Sequence, residues 1–245
     1  MNMSETTLTS QQKKAAKELL EQKVYQGDAI AAFRLFSGYV QGNDENFEKN
    51  PEKAMTYLEY SADLGFPHAL DFMATLYSGT EIKGLKKEPN LEMHINYLQR
   101  LVISESIYDY NNVDINEREK FYQMQWDAYA KIGRLYITDD TLYERDSYLG
   151  YAISLKLAEE RGCTESMYAL GRYYRDRESN VHYPSQTLMN KRDVWGMALY
   201  YYERAINNDN SKFASAAMSE YNHLARYINE RDGRSDEVAI PYYQS

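Results

Sequence analysis

The stretch NPEKAMTYLEYSADLGFPHALDFMATLYSG, residues 50–79, decides the fold class because it contains the signals of two consecutive helices. Asn50 is a suitable N-cap, Pro51 stands at the first helical position, and Gly65 follows the end of the first segment. In the second segment, offsets of four, five and eight place one set of side chains on a single helical face: Ala69, Met73, Ala74 and Tyr77. A small residue within that face lets another helix approach closely, so the stretch predicts tightly packed helices.

The face pattern of the second segment recurs along the chain as a small residue, an apolar residue with a small neighbour, and a tyrosine. Its copies begin at Ala31, Ala69, Ala128, Ser166 and, in a degenerate form, Phe213. The first two copies are 38 residues apart and so are the third and fourth, whereas the interval between the second and third is 59. Equal intervals around an enlarged one indicate a repeat protein whose insertions lie in loops.

The recurring segments predict one repeat array with a capping helix at each end. The expected outer boundaries are a disordered N-terminus at 1–9, a single array over 10–229 and a tail at 230–245. Within the array we expect a capping helix at 10–26, repeats at about 28–65, 66–102, 125–162 and 163–209, a second capping helix at 212–229, and insertions at 103–124 and 176–191.

The consensus of these segments is A-x-x-x-L-G-x-x-Y-x-x-G followed by K-A-x-x-(aromatic)-x-x-x-A-A-x-x-G, and it resembles the Sel-one-like repeat (SLR), a helix-turn-helix class related to tetratricopeptide repeats. The best match is Lys53, Ala54, Tyr57, Ser61, Ala62 and Gly65. The likeness extends over about residues 27–222. It implies an all-α, TPR-like fold, a right-handed α/α superhelical solenoid of helix-turn-helix repeats. It also implies an adaptor or regulator that binds other proteins and has no catalytic activity.

Charge and composition narrow the class of partner. The 245 residues carry a net charge of −9 with a pI near 5.1. This balance disfavours nucleic acid and anionic membranes as partners, because both are bound through clustered lysine and arginine. An acidic surface attracts a basic protein partner. Alternatively, the acidity only keeps the protein soluble.

The sequence also predicts where the protein resides. It has no apolar run long enough to cross a bilayer, and its first residues lack the apolar core of a secretion signal. Cys163 is the one cysteine, so no intrachain disulfide can form, and the paired cysteines of secreted SLR proteins are missing. We therefore expect a cytoplasmic protein. We also expect it to be a monomer or a weak dimer.

The groove of tetratricopeptide repeats, transferred through the resemblance, predicts the partner-binding residues of the concave face. They are Phe33, Asp71, Thr75, Arg134, Tyr168, Arg172, Arg175 and Asn222. Among them, Arg134, Arg172 and Arg175 could bind a carboxylate of a partner in bidentate fashion. The alternative is that these arginines pair with local acids such as Asp176 and Glu178.

The two insertions are a second candidate binding surface, because long loops in compact arrays are often functional. Their candidate residues are Ile107, Tyr108, Tyr110, His182 and Tyr183. The alternative is that both insertions only pack on the convex side of the array.

Signatures of catalysis are missing from the sequence, which has no GxSxG, HExxH or CxxC motif and no glycine-rich phosphate loop. The four histidines are scattered, so we predict no metal site and no cofactor. The acidic run of Asp139, Asp140, Glu144 and Asp146 imitates a carboxylate pair. We interpret it instead as the cap of a helix that begins near Tyr148.

Three hypotheses about function follow. The first is a protein-interaction adaptor or regulator, in a narrower form a bacterial immunity protein that neutralises a toxin or effector by direct binding. The second is a scaffold that binds peptide carboxylates through the arginine cluster. The third, a metal-dependent hydrolase, has the least support from the sequence.

Overall fold

The computed structural model describes residues 10–42, 47–104, 115–176 and 191–234. The described residues form ten α-helices and no strand, so the predicted all-α fold class is confirmed. The helices are α1 (Ser10–Tyr25), α2 (Ala29–Gln41), α3 (Pro51–Asp63), α4 (Pro67–Tyr77), α5 (Leu91–Ile103), α6 (Ile115–Thr138), α7 (Asp140–Arg161), α8 (Thr164–Asp176), α9 (Lys191–Asn208) and α10 (Lys212–Asp232).

The chain divides into two compact units, unit 1 (Met1–Ala128) and unit 2 (Tyr129–Ser245). In unit 1 the helices α1 to α5 pack in chain order, each against the next. In unit 2, α8 lies at the centre and packs against α7, α9 and α10, while α9 also contacts α10. Sequential packing of this kind is typical of repeats that bury their apolar faces against their neighbours.

Local capping signals place the helix ends where the sequence predicts them. The side chain of Asn50 accepts a hydrogen bond from the backbone N–H of Lys53 at 2.9 Å, and Pro51 is the first residue of α3. Asn90 caps α5 in the same way. At the other end of a helix, Gly162 terminates α7 with φ of 61°, a left-handed conformation that favours glycine.

The repeat tyrosine of the first helix stacks on a tyrosine of the following helix. The rings are nearly parallel, with centroids 5.8 Å apart for Tyr39–Tyr57, 5.7 Å for Tyr77–Tyr97 and 5.8 Å for Tyr174–Tyr201. One contact thus recurs in three helical hairpins and accounts for the regular spacing of tyrosine in the sequence.

Residues three positions after these second-helix tyrosines contact the end of the preceding second helix. Tyr60 donates to the carbonyl of Val24 at 3.3 Å, and Arg100 donates to that of Ala62 at 2.6 Å. In unit 2, Arg204 donates to the carbonyl of Ala158, near the end of α7. Tyr60 contacts the end of α1 as Arg100 contacts the end of α3, so α1 occupies the position of a second helix.

Three helices differ from their predicted bounds. α10 ends at Asp232, so the first residues of the predicted tail 230–245 are helical. α6 begins at Ile115, so the later part of the predicted insertion 103–124 is helical rather than a loop. α7 begins at Asp140 instead of near Tyr148, and bends at Asp146, where the backbone is extended. Asp139 accepts from the backbone N–H of Leu142 at 3.1 Å, and Asp146 accepts from that of Leu149 at 3.0 Å. The acidic run therefore caps two helical segments, where one was predicted.

Candidate protein-binding surfaces

The first-helix face of unit 1 carries a cluster of aromatic rings from α2 and α4. Phe33 lies at its centre, with ring centroids 5.0 Å from Phe66, 5.9 Å from His68 and 5.8 Å from Phe72. Phe66 is buried, whereas Phe33, His68 and Phe72 are only partly buried. Three neighbouring rings of this cluster thus keep part of their surface exposed.

Polar residues continue this face along α4. The hydroxyl of Thr75 donates to the backbone carbonyl of Asp71 at 2.9 Å, so it is occupied within its own helix. Asp71 is partly buried, one residue before Phe72. The face therefore combines aromatic surface with a carboxylate, and of the predicted residues it contains Phe33, Asp71 and Thr75.

The first-helix face of unit 2 consists of paired charges. Nε of Arg134 lies 2.6 Å from Oε1 of Glu165, and Nε of Arg172 lies 2.8 Å from Oδ2 of Asp176. Arg175 pairs with both Asp176 and Glu220. The sequence predicted the contact with Asp176 as an alternative, while Glu178 lies outside the described residues.

The surroundings of Arg172 favour its charged form. Burial disfavours the charged form of Arg172, yet hydrogen bonds to Tyr168 and Asp176 outweigh it and raise its pKa above the ordinary value. Nη1 of Arg172 also lies 3.9 Å from Oε1 of Glu220. Two guanidinium groups of α8 therefore converge on one carboxylate of α10.

Tyr168 and Asn222 complete the predicted set in unit 2. The ring of Tyr168 lies 6.0 Å from that of Phe213, and Cζ of Arg134 lies 5.9 Å from the centroid of Phe213. Asn222 borders an open cavity of about 400 Å³ along α10, beside His223. Of the three predicted arginines, Arg172 and Arg175 share the carboxylate of Glu220, while Arg134 forms a separate ion pair with Glu165.

Some predicted binding residues lie outside the described part of the chain, and two residues of the described faces were not predicted. The insertion residues Ile107, Tyr108, Tyr110, His182 and Tyr183 lie outside the described residues. Phe72 and Glu220 were not predicted. Phe72 follows Asp71 within a run of apolar residues, so helical periodicity assigns it to the border of the face, a signal that was available.

Two structural features bear on metal binding and membrane insertion. No group of three or more histidine, cysteine, aspartate or glutamate side chains in the described ranges is arranged to hold a metal ion. None of the helices that the structure describes is both long enough and apolar enough to span a membrane.

Comparison with known proteins identifies the fold. Neither a family model nor a curated protein matches the sequence. Among solved structures, a Sel1 repeat protein from Oxalobacter formigenes superposes with a TM-score of 0.51 at 18% identity, covering 89% of this chain and 79% of that chain.

A second solved structure is a protective antigen present in uropathogenic Escherichia coli strains, which displays an SLR fold. It matches with a TM-score of 0.47 at 20% identity, covering 86% of this chain and 36% of that chain. The Oxalobacter protein is similar to this chain over most of both chains. The chain therefore has the fold of Sel1 repeat proteins, as its sequence pattern predicts.

Proposed function

We propose that the protein is a non-catalytic interaction module that binds another protein through the first-helix face of unit 1. The observation that carries the proposal is the partly exposed aromatic cluster of Phe33, His68 and Phe72 on two adjacent helices. Aromatic residues are enriched at the centres of protein interfaces, where a few well-packed side chains contribute most of the binding free energy.

The packing of these rings supports binding without a large ordering cost. Phe33 contacts the buried rings of Phe36 and Phe66 at centroid distances of 5.2 and 5.0 Å. The side chains are therefore held in place by the core before a partner arrives. A preorganised surface loses little conformational entropy on association, so more of the contact energy appears as affinity.

The narrower form of the proposal is an immunity protein that neutralises a basic toxin or effector by covering it. Unit 1 contains 20 acidic and 13 basic residues, a net charge of −7, whereas unit 2 contains 17 and 15, a net charge of −2. The unit with the aromatic face thus carries most of the negative charge. Such asymmetry would steer a basic partner toward unit 1.

A second candidate function is the binding of a partner's carboxylate in unit 2. Its supporting observation is that Arg172 and Arg175 already converge on Glu220. An incoming carboxylate would have to displace Glu220 from its two guanidinium partners. That competition lowers the attainable affinity, which is why we favour unit 1.

The deciding experiment isolates the partner and then removes the rings. The immobilised protein captures a partner from lysate of the producing cells, and affinity for the purified partner is measured by calorimetry. Phe33→Ala combined with Phe72→Ala should weaken binding by tenfold or more, on the order expected for aromatic anchors. His68→Ala tests the same face without emptying core volume, and circular dichroism verifies folding.

Tyr25→Ala is the matched control, because Tyr25 is an aromatic residue of unit 1 that is 90% exposed and lies on α1. Its affinity should equal that of the wild type. Undiminished binding by the Phe33 and Phe72 variant would contradict the proposal. Loss of binding on Arg172→Ala with Arg175→Ala instead would favour carboxylate binding. Protection of cells that co-express a toxin tests the immunity role.

A further inference from the structure

Unit 2 contains a cavity of about 440 Å³ where α7 and α9 end and α8 begins, here called the α7–α9 groove. Its lining includes Glu159, Gly162, Met167, Tyr200, Glu203 and Asn207, all within the part of the chain that the structure describes. The volume is within the range of small-molecule pockets.

The groove combines carboxylates and helix-end carbonyl groups with the guanidinium of Arg204. The last carbonyl groups of a helix carry partial negative charge; the last turn of α9 contains no basic residue, whereas that of α7 contains Arg161. Glu203 is exposed and has no ion pair or hydrogen bond among the described residues, whereas Glu159 is paired with Arg204. A free carboxylate therefore stands beside the ends of two helices.

The wall of the groove already holds one guanidinium group from the chain itself. Arg204 pairs with Glu159 and donates to the carbonyl of Ala158 at 3.5 Å. Its Cζ lies 5.6 Å from the ring centroid of Tyr200. Arg204 thus shows which chemistry this surface accommodates: a planar cation beside a tyrosine ring, a carboxylate and a helix-end carbonyl.

The corresponding place in unit 1 lacks the additional groups. Arg100 donates to Ala62 at 2.6 Å and lies 5.2 Å from the ring of Tyr97, so the internal contact is the same. The residues before Tyr97 and Arg100 are Asn96 and Gln99, where unit 2 has Tyr200 and Glu203. The helix-to-helix contact does not require this ring or this carboxylate, and Tyr200 remains 47% exposed.

We propose that the α7–α9 groove binds an arginine side chain of the protein partner, with its guanidinium stacked on Tyr200 and paired with Glu203. Arginine fits better than lysine because its planar group stacks on a ring and forms two parallel hydrogen bonds with a carboxylate. The proposal rests on the proposed function and adds the chemistry of the partner.

The test uses the full chain and two blocked tripeptides, acetyl-Gly-Arg-Gly-amide and its neutral citrulline analogue, followed by NMR titration. The arginine peptide should shift amide signals around Gly162 and residues 200–208, and the citrulline peptide should not. Glu203→Gln should weaken binding about threefold, as for a partly exposed ion pair. Tyr200→Leu should weaken it about threefold, whereas Tyr200→Phe, which keeps a ring, should not.

Glu160→Gln is the control, since Glu160 is an exposed glutamate of α7 outside the groove lining. Equal binding of both peptides, or equal affinity of the Glu203→Gln and Glu160→Gln proteins, would overturn the proposal. If the peptides fail while the Phe33 and Phe72 variant loses its protein partner, only the groove proposal is wrong. If the groove binds arginine while that variant keeps its partner, the first-helix proposal fails instead.

Discussion

Unit 1 and unit 2 are built from the same repeat, yet their first-helix faces differ in chemistry. In unit 1 the face exposes parts of aromatic rings around Phe33, whereas in unit 2 it consists of guanidinium groups matched by carboxylates. The charged groups have partners inside the chain, whereas the rings of Phe33 and Phe72 keep part of their apolar surface exposed among the described residues. The repeat backbone therefore specifies where side chains lie, while their identity decides whether a face stays partly exposed.

The interiors of the two units differ in a complementary way. Unit 1 places Ala74 of α4 and Leu98 of α5 at the positions that unit 2 fills with Gly171 of α8 and Tyr202 of α9. A Cβ atom on Gly171 would collide with the ring of Tyr202. The larger ring in unit 2 therefore fits because Gly171 on the facing helix lacks the methyl group of alanine.

The largest effect should come from replacing Gly171 of unit 2 with alanine, the residue that unit 1 has at the corresponding position, Ala74. Gly171→Ala should lower the free energy of unfolding by about 2 kcal/mol, because Tyr202 is fully buried and cannot move aside. Urea denaturation followed by circular dichroism measures the change. Adding Tyr202→Leu, which completes the unit 1 pair, should recover most of the loss.

Gly196→Ala serves as the control for helix propensity, since no atom lies within 4 Å of its added Cβ. This change should raise stability by up to about 1 kcal/mol, the usual gain from replacing a helical glycine. A Gly171→Ala protein as stable as the Gly196→Ala protein would show that the two interiors do not differ as described.

A smaller effect is expected at high pH from the tyrosine cluster of unit 2. Burial first, and then the neighbouring Tyr143 and Tyr151, raise the pKa of Tyr173 from the ordinary 10.0 to about 12. The folded protein therefore keeps the phenol proton that the unfolded chain loses above pH 10. The stability that this group contributes is complete below pH 10 and is lost as pH rises toward 12. The loss amounts to about 1 kcal/mol at pH 11.

The measurement compares the wild type with Tyr173→Phe by urea denaturation at pH 8 and pH 11. The variant lacks the ionisable group, so its stability should fall less between the two pH values. If both proteins lost equal stability between pH 8 and pH 11, ionisation of the buried Tyr173 phenol would not contribute to the loss, contrary to its raised pKa.

The smallest effect concerns the charged face of unit 2. A double-mutant cycle of Arg175→Ala and Glu220→Ala should give a coupling energy of about 0.5–1 kcal/mol, because both side chains are partly buried but still reach solvent. Molar salt should reduce the coupling. The aromatic pair of Phe33 and Phe72 should be insensitive to salt in the same experiment, and equal salt dependence would contradict the contrast between the faces.

Much of the fold could be predicted because its signals are local. Asn50, Pro51 and Gly162 act within one helical turn, and the tyrosine spacing places rings on one face of each helix. The start of α6 at Ile115 was missed since its first residues lack the repeat pattern. Helix formation there depends on residues beyond the pattern, so the predicted insertion was too long.

The candidate sites were less predictable than the fold. The arginines of unit 2 were predicted through the resemblance to tetratricopeptide repeats, but Glu220, which lies 45 residues from Arg175, was not. Its role depends on α8 packing against α10, and no short-range pattern encodes that contact. Tyr200 and Glu203 were missed for the same reason, because the α7–α9 groove arises where three helix ends meet.

The helical repeats, their caps and the residues that can share a face are predictable from the amino-acid sequence, because they follow from hydrogen bonding and periodicity within a few turns. Which charges are satisfied and which rings stay exposed depends on how the helices pack. Ion pairs and ring contacts depend on distances of a few ångströms between helices far apart in the chain, and packing alone sets those distances.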